Sequence, residues 1–254
     1  MFNNETNYLD QHFLIDEETI KYFIGICNLS KDDIVLEIGP GKGVLTKLIA
    51  PKVKKLYVIE KDVRLIDELK LINNVEVICD DAIKCEYPKI NKIITSLPYS
   101  IIEPFIYKLI NVEFNELYMI MGKKYIDSVI NYEISNLSLL TNVFFDSIKY
   151  KDISKKCFYP MPRVMSGIIK LSHKKVYTKL EQVFKTIYLL NDKKTKNAIM
   201  ESLIICNSIT KKEAKSIICS LSLSDEILNK EFKLLSNNEL KIVYEKLKDD
   251  LDLF

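Results

Sequence analysis

Asp33-Ile34-Val35-Leu36-Glu37-Ile38-Gly39-Pro40-Gly41-Lys42-Gly43-Val44-Leu45-Thr46 reads as a buried apolar strand, a glycine turn and the start of a helix. Glycines directly after a strand let the backbone approach a ligand closely. A nicotinamide-binding loop wants G-x-G-x-x-G, and here Val44 stands where the last glycine belongs. Further on, Lys55-Leu56-Tyr57-Val58-Ile59-Glu60 is a second strand that ends in a carboxylate. It lies about 20 residues past the loop, the spacing at which an acid meets ribose hydroxyls in nucleotide-binding α/β folds. A third strand, Val75-Glu76-Val77-Ile78-Cys79, ends at Asp80-Asp81-Ala82, and a fourth, Lys92-Ile93-Ile94-Thr95, runs into Ser96-Leu97-Pro98-Tyr99. Successive strand ends therefore carry a glycine loop, an acid, an acid and a Pro-aromatic turn. A doubly wound sheet brings such ends to one edge.

Ser96-Leu97-Pro98-Tyr99 resembles the active-site tetrad of amino-methyltransferases, which carry Asn, Asp or Ser, then an apolar residue or Pro, then Pro, then an aromatic. The chemistry accounts for those residue types. An adenine amino group is a poor nucleophile while its lone pair is delocalised into the ring, so acceptors must hold its N–H groups out of the ring plane. The Ser96 side chain and the Leu97 backbone carbonyl, freed by the bend at Pro98, each suit one N–H. Tyr99 offers a flat apolar face for an unstacked base. Alignment of donor and acceptor can supply roughly 7–11 kcal/mol of the barrier, and the scheme requires no general base and no metal. The G-x-G-x-G loop after an acidic strand end is similar to the S-adenosylmethionine loop. On that resemblance Glu60 is the expected ribose ligand, and Asp81 accepts from the cofactor's adenine amine.

Two more segments extend the likeness. Gln11-His12-Phe13-Leu14-Ile15-Asp16 resembles the "GQ-[NH]-FL-x-D" opening of the ribosomal RNA adenine dimethyltransferases. Phe158-Tyr159-Pro160-Met161-Pro162-Arg163-Val164-Met165-Ser166 looks like that family's "F-x-P-x-P-x-V-x-S", leading into a last strand, Gly167-Ile168-Ile169-Lys170-Leu171. The resemblance runs from about Gln11 to Leu171, and the family is the small-subunit rRNA N6,N6-adenine dimethyltransferases with their relatives, the large-subunit erythromycin-resistance methylases. It implies a Rossmann-like class I α/β methyltransferase with S-adenosylmethionine as cofactor and small-subunit rRNA as substrate in ribosome biogenesis. Carried over by position, the cofactor contacts are His12, Leu14, Gly39, Gly41, Glu60, Asp81 and Ser96. The catalytic set is Ser96, Leu97, Tyr99 and Phe158, with the two aromatics holding the target base.

The chain departs from the family at several places. Ser96 stands where Asn is usual, and a serine hydroxyl reaches less far and offers no amide donor. Loss of one buried hydrogen bond there costs about 1–3 kcal/mol. Ser135-Asn136-Leu137-Ser138 replaces Gly-Arg-Leu-Ser, Asp10 precedes Gln11, and the usual basic N-terminal extension gives way to Phe2-Asn3-Asn4-Glu5-Thr6-Asn7. Two other functions share the remaining features: a non-catalytic or weakly catalytic assembly or RNA-binding factor that keeps the fold, and a methyltransferase of large-subunit rRNA.

Composition bounds the rest. The 254 residues suffice for one substantial core and a small second unit, divided here at 1–172 and 173–254. A net charge of +2 is a weak basic excess for an RNA-binding chain, so any basic surface is local. The candidates are Lys52, Lys54 and Lys55; Lys123 and Lys124; Lys149, Lys151, Lys155 and Lys156; and Lys193-Lys194-Thr195-Lys196, the last favoured by the resemblance. Arg64 and Arg163 are the only arginines. Cys27, Cys79, Cys85, Cys157, Cys206 and Cys219 lack metal spacing and read as buried thiols of a reducing compartment. With no signal peptide or spanning apolar stretch, the expectation is a cytoplasmic monomer without membrane or metal partners. Beyond His173 the pattern turns helical over Val176 to Leu190, Thr195 to Cys206, Ala214 to Leu221 and Leu240 to Leu247. Capping boxes open the last two at Thr210…Glu213 and Ser236…Glu239.

Overall fold

The computed structural model describes residues 12–251; Gln11, Asp10 and residues 2–7 lie outside them. The first unit runs to Ile130 and resumes at Asp146–His173. Its elements are β1 (Phe13–Leu14), α1 (Glu17–Ile26), β2 (Ile34–Ile38), α2 (Thr46–Ile49), β3 (Lys55–Glu60), α3 (Val63–Lys70), β4 (Val75–Cys79), β5 (Lys92–Ser96), α4 (Ile102–Leu109), β6 (Glu116–Gly122) and α5 (Lys123–Ile130). After the insertion of α6 (Asn136–Phe144), the unit continues with β7 (Phe145–Ile153), β8 (Phe158–Tyr159) and β9 (Ser166–His173).

Seven strands form one sheet in the order β4-β3-β2-β5-β6-β9-β7. The pairs β4·β3, β3·β2, β2·β5 and β5·β6 are parallel, whereas β9 runs antiparallel to β6. The chain winds outward from β2 to β4, then returns to lay β5 on the other side of β2. That reversal is a topological switch point, and the crevice beyond the carboxyl ends of the two strands is where such sheets bind ligands. Register fixes the meeting: Ile38 stands opposite Thr95, and the Thr95 hydroxyl donates to the Ile38 carbonyl at 2.9 Å. Gly39 and Ser96 are therefore neighbours at the sheet edge.

The central strands are apolar because both faces are covered; Val35, Leu36, Leu56, Val58, Ile93 and Ile94 are all buried. Local chemistry starts the helices. Asp16 caps α1 by accepting from the Thr19 N–H at 2.9 Å, with Glu17 and Glu18 in the first turn. Asp62 caps α3 in the same way and holds the Arg64 guanidinium. Below the sheet edge, Lys92 is buried against Asp33 at 3.0 Å and donates to the Asn28 carbonyl at 2.7 Å, tying the end of α1 to β2 and β5.

The second unit comprises Asn131–Phe145 and everything from Lys174 onward, so α6 joins the C-terminal helices rather than the sheet. These are α7 (Lys179–Leu189), α8 (Thr195–Asn207), α9 (Lys211–Ser220), α10 (Asp225–Asn229) and α11 (Asn237–Leu251). Helix α7 begins at Lys179, not Val176, because Thr178 and Glu181 make a capping box that sets its start. The boxes at Thr210…Glu213 and Ser236…Glu239 form as their spacing predicts. Ser135 and Ser138 make another, so Ser135-Asn136-Leu137-Ser138 is the opening of α6, with the Asn136 carbonyl accepting from the Tyr188 hydroxyl. Only Cys27 among the thiols is buried, which corrects the expectation for the other five; Cys79 and Cys219 are exposed, and all six are free. Among the described residues no helix is long and apolar enough to cross a membrane.

Candidate active site

A cleft of about 510 Å³ opens at the switch point. All the residues singled out from the sequence border it: His12 and Leu14 on the N-terminal side, Gly39 and Gly41 in the turn after β2, Glu60 after β3, Asp81 after β4, and Ser96, Leu97 and Tyr99 after β5, with Phe158 closing one wall. Each acid owes its place to a strand end, and each strand end to the sheet register.

The turn after β2 needs its glycines at two positions. Gly39 has φ +67°, and its Cα faces the Leu97 side chain. At Gly41 φ is +56°, and a Cβ there would sit 2.8 Å from the Phe13 ring. The turn is fastened to the next strand end as well: the Gly39 N–H donates to the Ile59 carbonyl at 3.0 Å, and the Gly41 N–H to Glu60 Oε2 at 3.1 Å. Glu60 Oε1 accepts from the Asp62 N–H at 2.9 Å. Burial raises the Glu60 carboxyl above the usual range, and these backbone donors oppose the rise. Asp81 is held the other way. The Ile83 N–H, at 2.9 Å, and the Lys61 ammonium, at 3.0 Å, keep its carboxyl below the usual range.

Glu37, the acid inside β2, carries no mark in sequence as a site residue. Its side chain is buried and borders the cleft, and among the described residues its Oε2 has no hydrogen-bond partner. Burial pushes its carboxyl up to about 8; the adjacent Thr46 hydroxyl opposes this and the charge of Glu60 adds to it. An orphaned buried acceptor in a cleft was the missing signal, and it exists only in three dimensions.

Phe158 and the N-terminal segment are one structure. Strands β1 and β8 pair antiparallel with Phe13 opposite Tyr159 and Leu14 opposite Phe158. His12 Nδ1 lies 2.8 Å from the Pro160 carbonyl, and the Ile15 N–H donates to the Cys157 carbonyl at 2.8 Å. Phe158 is buried against this ribbon, yet its ring borders the cleft.

Several lysines expected at an RNA surface are engaged within the protein. Lys123 and Lys149 share Asp127 and Asp152 at 2.6–3.0 Å, Lys55 pairs with Glu76 at 3.0 Å, and Lys151 lies over the Tyr22 ring. In the favoured cluster, Lys193 pairs with Glu201 and Thr195 is buried, whereas Lys194 and Lys196 are exposed. Among the described residues no group of three His, Cys, Asp or Glu is placed to hold a metal ion.

The strand order and the cleft at its reversal define the Rossmann-like methyltransferases as the class. Two crystal structures share the fold. A dimethyladenosine transferase from Plasmodium falciparum is 24% identical with a TM-score of 0.65, over 94% of this chain and 98% of that one. The 23S rRNA methyltransferase ErmE is 19% identical with a TM-score of 0.61, over 93% and 99%. In sequence, residues 1–217 match the profile of the ribosomal RNA adenine dimethylases. A protein of Pyrococcus abyssi named as a probable ribosomal RNA small subunit methyltransferase A is 35% identical over 253 residues, 95% of this chain and 91% of that one. Its namesake in Methanococcoides burtonii is 34% identical over 246 residues, 91% and 89%. The chain belongs to the ribosomal RNA adenine dimethylase family. Methyltransferases of this family and fold depend, as a class, on S-adenosylmethionine.

Proposed function

We propose that this chain dimethylates N6 of adenosines in small-subunit ribosomal RNA during ribosome biogenesis, with S-adenosylmethionine as methyl donor. The observation that carries the reading is the convergence of the glycine turn, Glu60, Asp81 and the Ser96–Tyr99 turn on one cleft at the switch point. Family membership supports the reaction class, and the relatives named for the small subunit support the choice of RNA.

The residues fit the cofactor. Gly39 and Gly41 give the turn at the cleft wall the positive φ it needs, Glu60 keeps lone pairs for ribose hydroxyls beyond those its backbone donors use, and Asp81 suits an adenine amine. The unmet Oε2 of Glu37 adds a buried polar group at the cleft wall. His12 and Leu14 close the N-terminal side. When bound, S-adenosylmethionine supplies a methyl group already activated on a sulfonium.

The protein's own part is positioning. A target base drawn out of its stack would lie between the Tyr99 and Phe158 rings, both of which border the cleft. The Ser96 hydroxyl and the Leu97 carbonyl would accept the two N–H bonds of the amine, holding its lone pair out of the ring. Buried walls around the cleft, with Leu97 and Phe158 both out of solvent, keep water from competing for those bonds.

Incubation with undermethylated small subunits and labelled cofactor tests the proposal. Label in N6-methylated adenosine of the small-subunit RNA is the expected result. No transfer, under conditions where another member of the family works, would overturn it.

A further inference from the structure

The stretch from Ser154 to Met165 leaves the cleft at Phe158 and differs in character from the rest of the chain. It holds Lys155, Lys156 and Arg163 and no acid, so three cations fall in one short segment of a chain whose net charge is only +2. Beside them, Tyr159, Met161, Val164 and Met165 are exposed by 42%, 61%, 50% and 41%. Large apolar side chains grouped at a surface mark a place where something docks.

The backbone beneath them is fastened at intervals. The Lys155 ammonium donates to the Arg163 carbonyl at 3.0 Å, the Lys123 N–H to the Met165 carbonyl at 2.8 Å, and Tyr159 is paired with Phe13. Arg163 is one of two arginines in the chain. The other, Arg64, is clasped by Asp62, whereas among the described residues Arg163 makes no ion pair and its side chain is exposed.

We propose that this segment is a docking shelf for single-stranded RNA, taking the unpaired nucleotides on either side of the target adenosine. Tyr159 and Met161 present faces on which bases pack, and Lys156 and Arg163 meet the phosphates. Three features favour that occupant. The segment has only positive charge, complementary to a phosphate backbone. An aromatic set among cations is how proteins grip single strands without reading their sequence. The segment also carries Phe158, which borders the cleft, so a base drawn inside leaves its neighbours within a few residues' reach of it with one face uncovered. A helical duplex keeps its base faces stacked and offers nothing to Tyr159 or Met161. The inference rests on the RNA-methylating reading of the cleft.

Fluorescence anisotropy on the full chain, with a labelled single-stranded RNA of about nine nucleotides around a central adenosine and its duplex form as the second probe, decides the matter. Tyr159→Ala and Arg163→Ala are each expected to weaken single-strand binding roughly tenfold, with Tyr159→Phe close to wild type. Arg163→Ala also lowers the salt dependence by about one phosphate contact. Single-strand affinities within twofold of wild type in both alanine variants would overturn the shelf, as would a wild type that prefers the duplex. Unchanged RNA affinity combined with lost binding to intact small subunits would overturn it in favour of a protein partner. Binding is read without turnover, so a wild type that grips RNA through these residues but transfers no methyl supports the shelf and defeats only the methyltransferase reading.

Discussion

The Tyr99 and Ser166 hydroxyls meet at 2.5 Å, joining the turn after β5 to the first residue of β9. Ser166 is fully buried and pairs in the ladder with Gly122, and the Tyr99 ring lies alongside Gly122. The plane of the ring proposed to hold the target base is thus set from outside its own turn, by the residue that closes the Phe158–Ser166 motif. Tyr99→Phe and Ser166→Ala should each lower kcat on small-subunit RNA roughly tenfold, the equivalent of one hydrogen bond, and leave cofactor affinity unchanged. Turnover measured beside calorimetric cofactor binding checks this; kcat within twofold of wild type in both variants shows that the ring needs no brace.

Ser96 borders the cleft where Asn is usual in the family. Ser96→Asn should raise kcat by a few-fold or more, since the amide reaches further and can also donate. Ser96→Ala should lower it roughly 5- to 150-fold, the range for a lost buried acceptor. If the alanine variant turns over as fast as wild type, Ser96 does not hold the amine.

Gly41→Ala combines φ +56° with a Cβ 2.8 Å from the Phe13 ring. The strain and the displaced ring should weaken cofactor binding by about 1–3 kcal/mol and lower the melting temperature. Calorimetry and thermal melts read the two effects separately. Wild-type affinity would mean that the glycine turn does not face the cofactor.

Glu37 makes a statement about pH. Its carboxyl titrates at about 8 in the folded protein against 4.5 ordinarily. The folded state thus holds a proton that the unfolded chain releases. This favours folding fully below pH 4.5, ever less as pH rises, and not at all above about 8. Glu37→Gln should melt like wild type near pH 4 and be the more stable protein above pH 8, by on the order of a few kcal/mol. Parallel melting curves across that range would falsify the assignment.

Strands β2 to β5 are legible in sequence because each is a short apolar run whose end carries its own chemical mark. β6 is apolar too, yet Glu116-Leu117-Tyr118-Met119-Ile120-Met121 has no period to separate a doubly covered strand from a buried helix turn. At the sheet edge, β7 alternates exposed Asp146 with half-buried Ser147 and Lys149, a pattern too weak to stand out. The site residues can be found one motif at a time. What joins them cannot: Tyr99 with Ser166, His12 with Pro160 and Leu14 with Phe158 are contacts between distant parts of the chain. The orphaned oxygen of Glu37 is invisible for the same reason, since a lone acid in an apolar run says nothing of what surrounds it.

The ribbon of β1 and β8 puts His12 and Leu14, proposed for the cofactor, on the same hydrogen-bonded ladder as Phe158, proposed for the base. The two ligands form one thermodynamic cycle. Whatever factor bound cofactor adds to RNA affinity, bound RNA must return to the cofactor. Titrating each in the presence of the other yields the two factors, and His12→Ala, which removes the link to Pro160, should bring both toward one. The expected result is a factor above one, equal in the two titrations.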